Sequence, residues 1–212
     1  DGTLKEIEYS LDALKLDGVG MHSNMGGIYP GDARFDPVFD ELNRRKAVVH
    51  LHPTDVPEGR NLRPQWPPYI VEFMFGTTRA VANLVYSGTM ERCPDVSIIL
   101  SHAGGTVPYL AWRLWTGEFT VPGFSEHAPS GVYVSLKRFY YDTAMAANPG
   151  TFASLTQLVD PSRILFGTDY PYMPDYAIGE FARQIAEYEG FDARATAAIE
   201  RGNALRLFPR FA

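Results

Sequence analysis

The sequence predicts an α/β protein built on a parallel sheet, and three observations carry that expectation. Short apolar runs alternate with longer amphipathic stretches along the 212 residues. The short runs are apolar throughout rather than at every second position, the pattern of strands covered on both faces. Polar residues suited to chemistry fall just past these runs, at the end where parallel α/β proteins gather ligands and catalytic groups.

The elements follow in order. Leu4, Ile7, Leu11, Leu14 and Leu16 recur at near-helical spacing, predicting a helix over Leu4–Leu16. Asp17-Gly18 signals a turn, and Val19-Gly20-Met21 is a short strand ending at His22-Ser23-Asn24. Phe35, Val38, Phe39 and Leu42 share a helical face within Phe35–Arg45, and Ala47–His52 is the next strand. Pro53–Pro68 holds too many prolines for a regular element. Tyr69–Tyr86 reads as a long helix running on towards Arg92, followed by the apolar strand Val96–Leu100. His102-Ala103-Gly104-Gly105 leaves that strand, and a helix with Pro108 in its first turn continues to Trp115. Phe139–Asp142 is a fourth strand, Thr151–Val159 a helix and Arg163–Gly167 a fifth strand. Helices over Ile178–Glu189 and Arg194–Leu207 close the chain. Residues 1–212 read as one domain without repeats or an internal boundary. Five βα units suit an open doubly wound sheet or part of a (β/α)8 barrel, since a complete barrel needs about 250 residues.

Composition excludes several classes. Hydrophobic residues make up 45% and charged residues 21%, so a disordered or coiled-coil chain is a poor reading. The net charge of −6, with Arg44-Arg45-Lys46 as the longest basic run, argues against nucleic-acid or anionic-membrane partners. No apolar run approaches the ~18 residues of a membrane span. Cys93 is the single cysteine, which excludes an internal disulfide; a reducing, cytoplasmic location is expected, with the thiol buried and inert. No Gly-x-Gly-x-x-Gly follows a strand, and no organic cofactor is expected. The opening Asp1-Gly2-Thr3, without an initiator methionine, raises the expectation of an upstream segment or a processed terminus.

The candidate site rests on His22, His52, His102, Asp142 and Asp169, each at or past the C-terminal end of a predicted strand. Imidazole and carboxylate together suit zinc or a similar divalent ion. Every position has a structural alternative. His52 also serves as a strand terminator before Pro53, and His50, on the same side of the strand, is expected to be a packed supporting histidine. Glycines beside His102 permit close approach of a backbone or ligand. Asp169 leaves a buried strand, where an unpaired carboxylate is costly and a metal or cation is the expected partner. Asp142 could serve similarly or cap the following helix. His22 is either a pocket residue or a strand-end spacer, His127 an exposed loop residue, and Trp66, Tyr69 and Phe73 either pocket wall or core.

Val-His-Leu-His-Pro at 49–53, Leu-Ser-His-Ala-Gly-Gly-Thr-Val-Pro at 100–108 and Arg-Ile-Leu-Phe-Gly-Thr-Asp-Tyr-Pro at 163–171 resemble the metal-dependent decarboxylases related to amidohydrolases. That group includes 2-amino-3-carboxymuconate-6-semialdehyde decarboxylase and γ-resorcylate decarboxylase. Pro67–Gly88 and Gly202–Phe208 look closest to its 6-methylsalicylate decarboxylase-like branch. The resemblance implies a (β/α)8 TIM barrel with one divalent metal, Zn2+ or alternatively Mn2+. It implies His52 and Asp169 as metal ligands, with His102 and Asp169 catalytic. Arg113 matches an arginine that reaches substrate in a neighbouring subunit, implying a homodimer or higher homo-oligomer. Candidate substrate contacts are His22, Trp66, Arg113 and Tyr172. The implied reaction is non-oxidative decarboxylation of a small hydroxylated aromatic or muconate-like acid. Its alternatives are hydrolysis or hydration of a lactone, amide or alkene, or a barrel without activity. The family's His-x-His or Glu-x-His first-strand motif has no match before His22. The chain is therefore expected to hold strands four to eight, the C-terminal two-thirds of a barrel, with the first three βα units absent.

Overall fold

A computed structural model of the protein describes residues 2–56 and 65–212. The centre of the proline-rich stretch, 57–64, lies outside the described residues.

Helix α1 (Gly2–Glu8) passes into a π-helical turn at Tyr9–Ala13 and ends there, because Lys15 adopts a left-handed backbone, φ 55°. The predicted helix to Leu16 is thus shortened, and Leu14 and Leu16 are exposed. Strand β1 (Gly18–His22), helix α2 (Asp36–Arg44) and strand β2 (Val48–His52) follow as expected. Helix α3 (Glu72–Tyr86) does not run on to Arg92: Gly88, at φ 77°, separates it from the short α4 (Thr89–Arg92). After β3 (Ser97–Leu100) comes α5 (Val107–Trp115) with Pro108 in its first turn.

Three short helices then occupy a region without predicted elements: α6 (Gly117–Thr120), α7 (Phe124–His127) and α8 (Val132–Arg138). His127 is exposed as expected, but it ends α7 rather than sitting in a loop. Strand β4 (Tyr140–Asp142) leads to α9 (Pro149–Leu158), capped by the Asn148 side chain, which accepts from Thr151 N–H. Strand β5 is only Ile164–Leu165, not the five residues expected. Its ladder stops because Phe166 N–H turns to the Ile199 carbonyl and Gly167 N–H to Thr143 Oγ1. Helices α10 (Asp175–Glu187), α11 (Ala193–Ala197) and α12 (Asn203–Leu207) complete the chain. Buried Asn203 donates to the carbonyls of Pro161 and Ile164, each at 2.8 Å, and ties the last helix to β5.

All strand pairs are parallel, and the order β1-β2-β3-β4-β5 follows the sequence without reversal. A doubly wound sheet reverses its order at a switch point, which this sheet lacks. Right-handed crossovers that always step the same way place their helices on one face. The packing agrees. Val49, Leu51, Ile98, Leu100, Tyr141 and Ile164 point to that face and join one core with Phe39, Leu84, Leu136 and Leu155.

Register defines the opposite face. Gly20, His50, Ile99 and Tyr140 lie abreast, as do His22 with His52 and Asp142 with Leu165. Val48, Ile99 and Leu165 form a small separate cluster there, covered by Ala204, Leu207 and Phe208 from the end of the chain. Above it the face is polar. The expectation of a sheet apolar on both faces is therefore corrected: one face is fully apolar, the other only at its base.

Candidate metal centre

Strand ends and the turns leaving them build the site. β2 delivers His52 as its last residue, while the turn after β3 delivers His102 and the irregular segment after β5 delivers Asp169. Each of the three offers one ligand atom, and those atoms lie within 4.8 Å of one another. His52 Nε2 stands 3.5 Å from Asp169 Oδ1. Ligand atoms ~2.0–2.2 Å from one tetrahedral ion are themselves about 3.3–3.6 Å apart, so this spacing fits a shared ion.

Hydrogen bonding fixes which nitrogens would face an ion. His52 Nδ1 lies 2.8 Å from the Pro53 carbonyl, and His102 Nδ1 lies 2.9 Å from the Ala144 carbonyl. A carbonyl only accepts, so each Nδ1 carries a proton, and Nε2 is the nitrogen left to offer a lone pair. This is how metal-binding histidines are oriented elsewhere. Burial lowers the His52 pKa, and the neighbouring His102 adds to that effect, so the unprotonated ring a metal needs is favoured. Two imidazoles and a carboxylate are a donor set that fits a divalent ion.

Backbone conformations here are uncommon. His102 and Ala103 have φ of 56° and 53°, and Asp169 has φ 60°. Non-glycine residues rarely adopt such values, and strain of this kind clusters at functional sites. The adjacent Gly105, φ 65°, has no room for a side chain: a Cβ would collide with the Met74 carbonyl of α3. The close approach allowed by the glycines is thus made by backbone.

A cleft of about 350 Å3 opens over these groups, walled among others by His50, Ser101, Asp142, Phe166 and Tyr170. His50 is not a packed residue. Its side chain is 47% exposed, and its Nε2 lies 3.2 Å from Asp142 Oδ2 and 3.0 Å from Ser101 Oγ. Asp142 caps no helix; that task falls to Asn148. Its Oδ1 accepts from His102 N–H at 2.8 Å and from Ala144 N–H at 3.0 Å. Phe73 meets the His52 ring edge-on at 6.4 Å between centroids.

Four candidate substrate contacts lie outside the cleft. His22 is exposed at the end of β1, abreast of His52 but not lining the cleft. Trp66 is exposed ahead of α3, Arg113 is exposed in the last turn of α5, and Tyr172 is exposed beyond Asp169. None of them lines the cleft. Sequence reasoning undervalued His50, Asp142 and Ser101. Their only signal was position, at alternate residues or strand ends facing the same side as His52.

Comparison with known proteins gives the family. The amidohydrolase family model matches residues 1–210. The chain is 36% identical over 219 residues to the decarboxylase macB of Penicillium terrestre, and 36% identical over 209 residues to the 6-methylsalicylic acid decarboxylase of Penicillium expansum. Each match covers 98% of this chain and 64% of the relative's length. A crystal structure of an amidohydrolase II superposes with a TM-score of 0.85 at 26% identity, over 97% of this chain and 66% of that one. The chain belongs to the amidohydrolase family.

Proposed function

From that membership we propose a metal-dependent, non-oxidative decarboxylase, a carbon–carbon lyase acting on a small hydroxylated aromatic acid of the 6-methylsalicylate kind. The observation that supports it best is the pair of oriented Nε2 lone pairs converging with Asp169 at the sheet's C-terminal edge. Likeness to decarboxylases over 98% of this chain supports this reaction. Because the chain spans 64% of those relatives' length, we further propose that the five strands are the last five of an eight-stranded barrel.

His52, His102 and Asp169 would hold the ion, Zn2+ or Mn2+. When bound, it supplies a Lewis-acidic seat for the substrate carboxylate and its neighbouring oxygen substituent. Asp169 delivers a proton to the ring carbon as the C–C bond breaks; that bond's electron pair stays on the ring and carbon dioxide leaves. His102 acts as a ligand, its other nitrogen being bound to the Ala144 carbonyl, and the half-covered His50 presents a third imidazole to the cleft. His22, Trp66, Arg113 and Tyr172 are proposed to reach substrate only when further elements close over the open face. For Arg113 the partner is a second copy in a homodimer. A cytoplasmic setting fits the one buried cysteine.

The test is carbon dioxide release from a panel of hydroxybenzoates that includes 6-methylsalicylate, with metal-loaded and chelated protein. Release that stops on chelation is expected. Metal binding without release from any acid would overturn the decarboxylase reading in favour of hydrolysis or hydration, read out on lactones.

A further inference from the structure

We propose that Asp142 is the positioning residue of this metal centre, one buried carboxylate that fixes both the backbone and the ring of His102. The role rests on reading His52, His102 and Asp169 as metal ligands.

Oδ1 of Asp142 accepts from two amides, those of His102 and Ala144. The Ala144 carbonyl in turn accepts from His102 Nδ1–H. A single oxygen therefore grips the residue that carries the ring and the residue that aims it, and this closed circuit sets where His102 Nε2 points. The circuit also holds two consecutive residues, His102 and Ala103, in left-handed conformations that would otherwise relax. Oδ2 accepts from His50 Nε2–H. Ser101 Oγ donates to the Leu51 carbonyl at 3.1 Å, so it too can accept from His50 Nε2–H. That arrangement leaves His50 Nδ1 as the nitrogen without a partner among the described residues. Asp142 thus links two imidazoles of the cleft through one rigid group. Its side chain is only 10% exposed, and no lysine or arginine pairs with it among the described residues. Three N–H donors balance its charge instead. A carboxylate kept buried on such terms at a strand end serves orientation better than stability.

Co2+ titration against a competing chelator tests this, since Co2+ reports its ligand geometry in visible absorption. Asp142→Ala is expected to bind Co2+ about 10–100-fold more weakly than the parent, with altered bands. Asp142→Asn keeps an oxygen for the two amides but sets an NH2 against His50, and a smaller loss of about three- to tenfold is expected. A purely structural role would lower the melting temperature of the metal-free protein and leave the affinity and bands of the folded fraction unchanged. That result, in the alanine variant or, should it not fold, in the asparagine variant, overturns the proposal while the metal centre stands. A parent protein that binds no Co2+ overturns the metal centre and this role together.

Discussion

The two faces of the one sheet obey different physics. On the helix-covered face Val49, Leu51, Leu100 and Tyr141 are fully buried, and only Tyr141 carries a side-chain polar group, its hydroxyl donating to the Leu136 carbonyl at 2.8 Å. On the other face the same strands present His50, His52, Ser101 and Asp142, and His50 is nearly half exposed. Alternation along the strand makes this possible: Leu51 lies between His50 and His52, so one residue anchors the core while its neighbours serve the cleft. The first face holds the structure by apolar burial; the second is held rigid by the first and is free to carry polar groups that a core could not accommodate.

Because the faces divide in this way, substitutions on them should fail in different measurements. The largest effect is expected from Asp169→Asn, which should abolish metal retention and turnover together while urea unfolding of the metal-free protein changes little. A fully active variant would remove Asp169 from the site. His52→Ala should likewise strip the metal, read by elemental analysis of the purified protein, with the apo fold intact. Next comes Leu51→Ala on the opposite side of the same strand. It should cost about 2–5 kcal/mol of stability, measured by denaturant midpoint, because the cavity it leaves lies between sheet and helices. Equal loss of stability from His52→Ala would erase the contrast between the faces.

A finer probe is Tyr141→Phe, which leaves the Leu136 carbonyl without its donor in the core. About 1–3 kcal/mol of destabilisation is expected, with metal affinity unchanged. The smallest effect is expected from Glu41→Gln on α2, far from either question. Hydrogen bonds from Arg44, then Arg45, hold the Glu41 carboxyl down at about 2, against an ordinary value of 4.5. Its contribution is present above pH about 4.5 and lost as pH falls towards 2. Because the group lies at the surface, that contribution should be under about 1 kcal/mol. The difference between parent and variant in thermal unfolding should accordingly vanish at acid pH.

Much of this was legible in the sequence, and the reasons are local. Continuous apolar runs mark β1 to β4 because a strand's own residues must fill the space beneath the helices. Pro108 marks a helix start because it removes an orphan amide. His52, His102 and Asp169 were legible as a set since each ends an apolar run, and parallel strands bring all such ends to one edge. The short helices α6 to α8 were not legible, being too short to show a period. Neither was the two-residue length of β5, which Ile199 and Thr143 decide from elsewhere in the chain.

By itself, then, the sequence determined the alternation of elements, their parallel sense and the side on which chemistry would gather, all consequences of spacing between neighbours. Only the tertiary structure decided that the strands run in order without reversal, that one face stays polar, and that His50 and Asp142 belong to the site. It also decided which imidazole nitrogen His102 offers. Those outcomes depend on partners 40 to 92 residues away, such as Ala144 for His102 and Asp142 for His50, and no local pattern encodes a hydrogen bond that only folding can close.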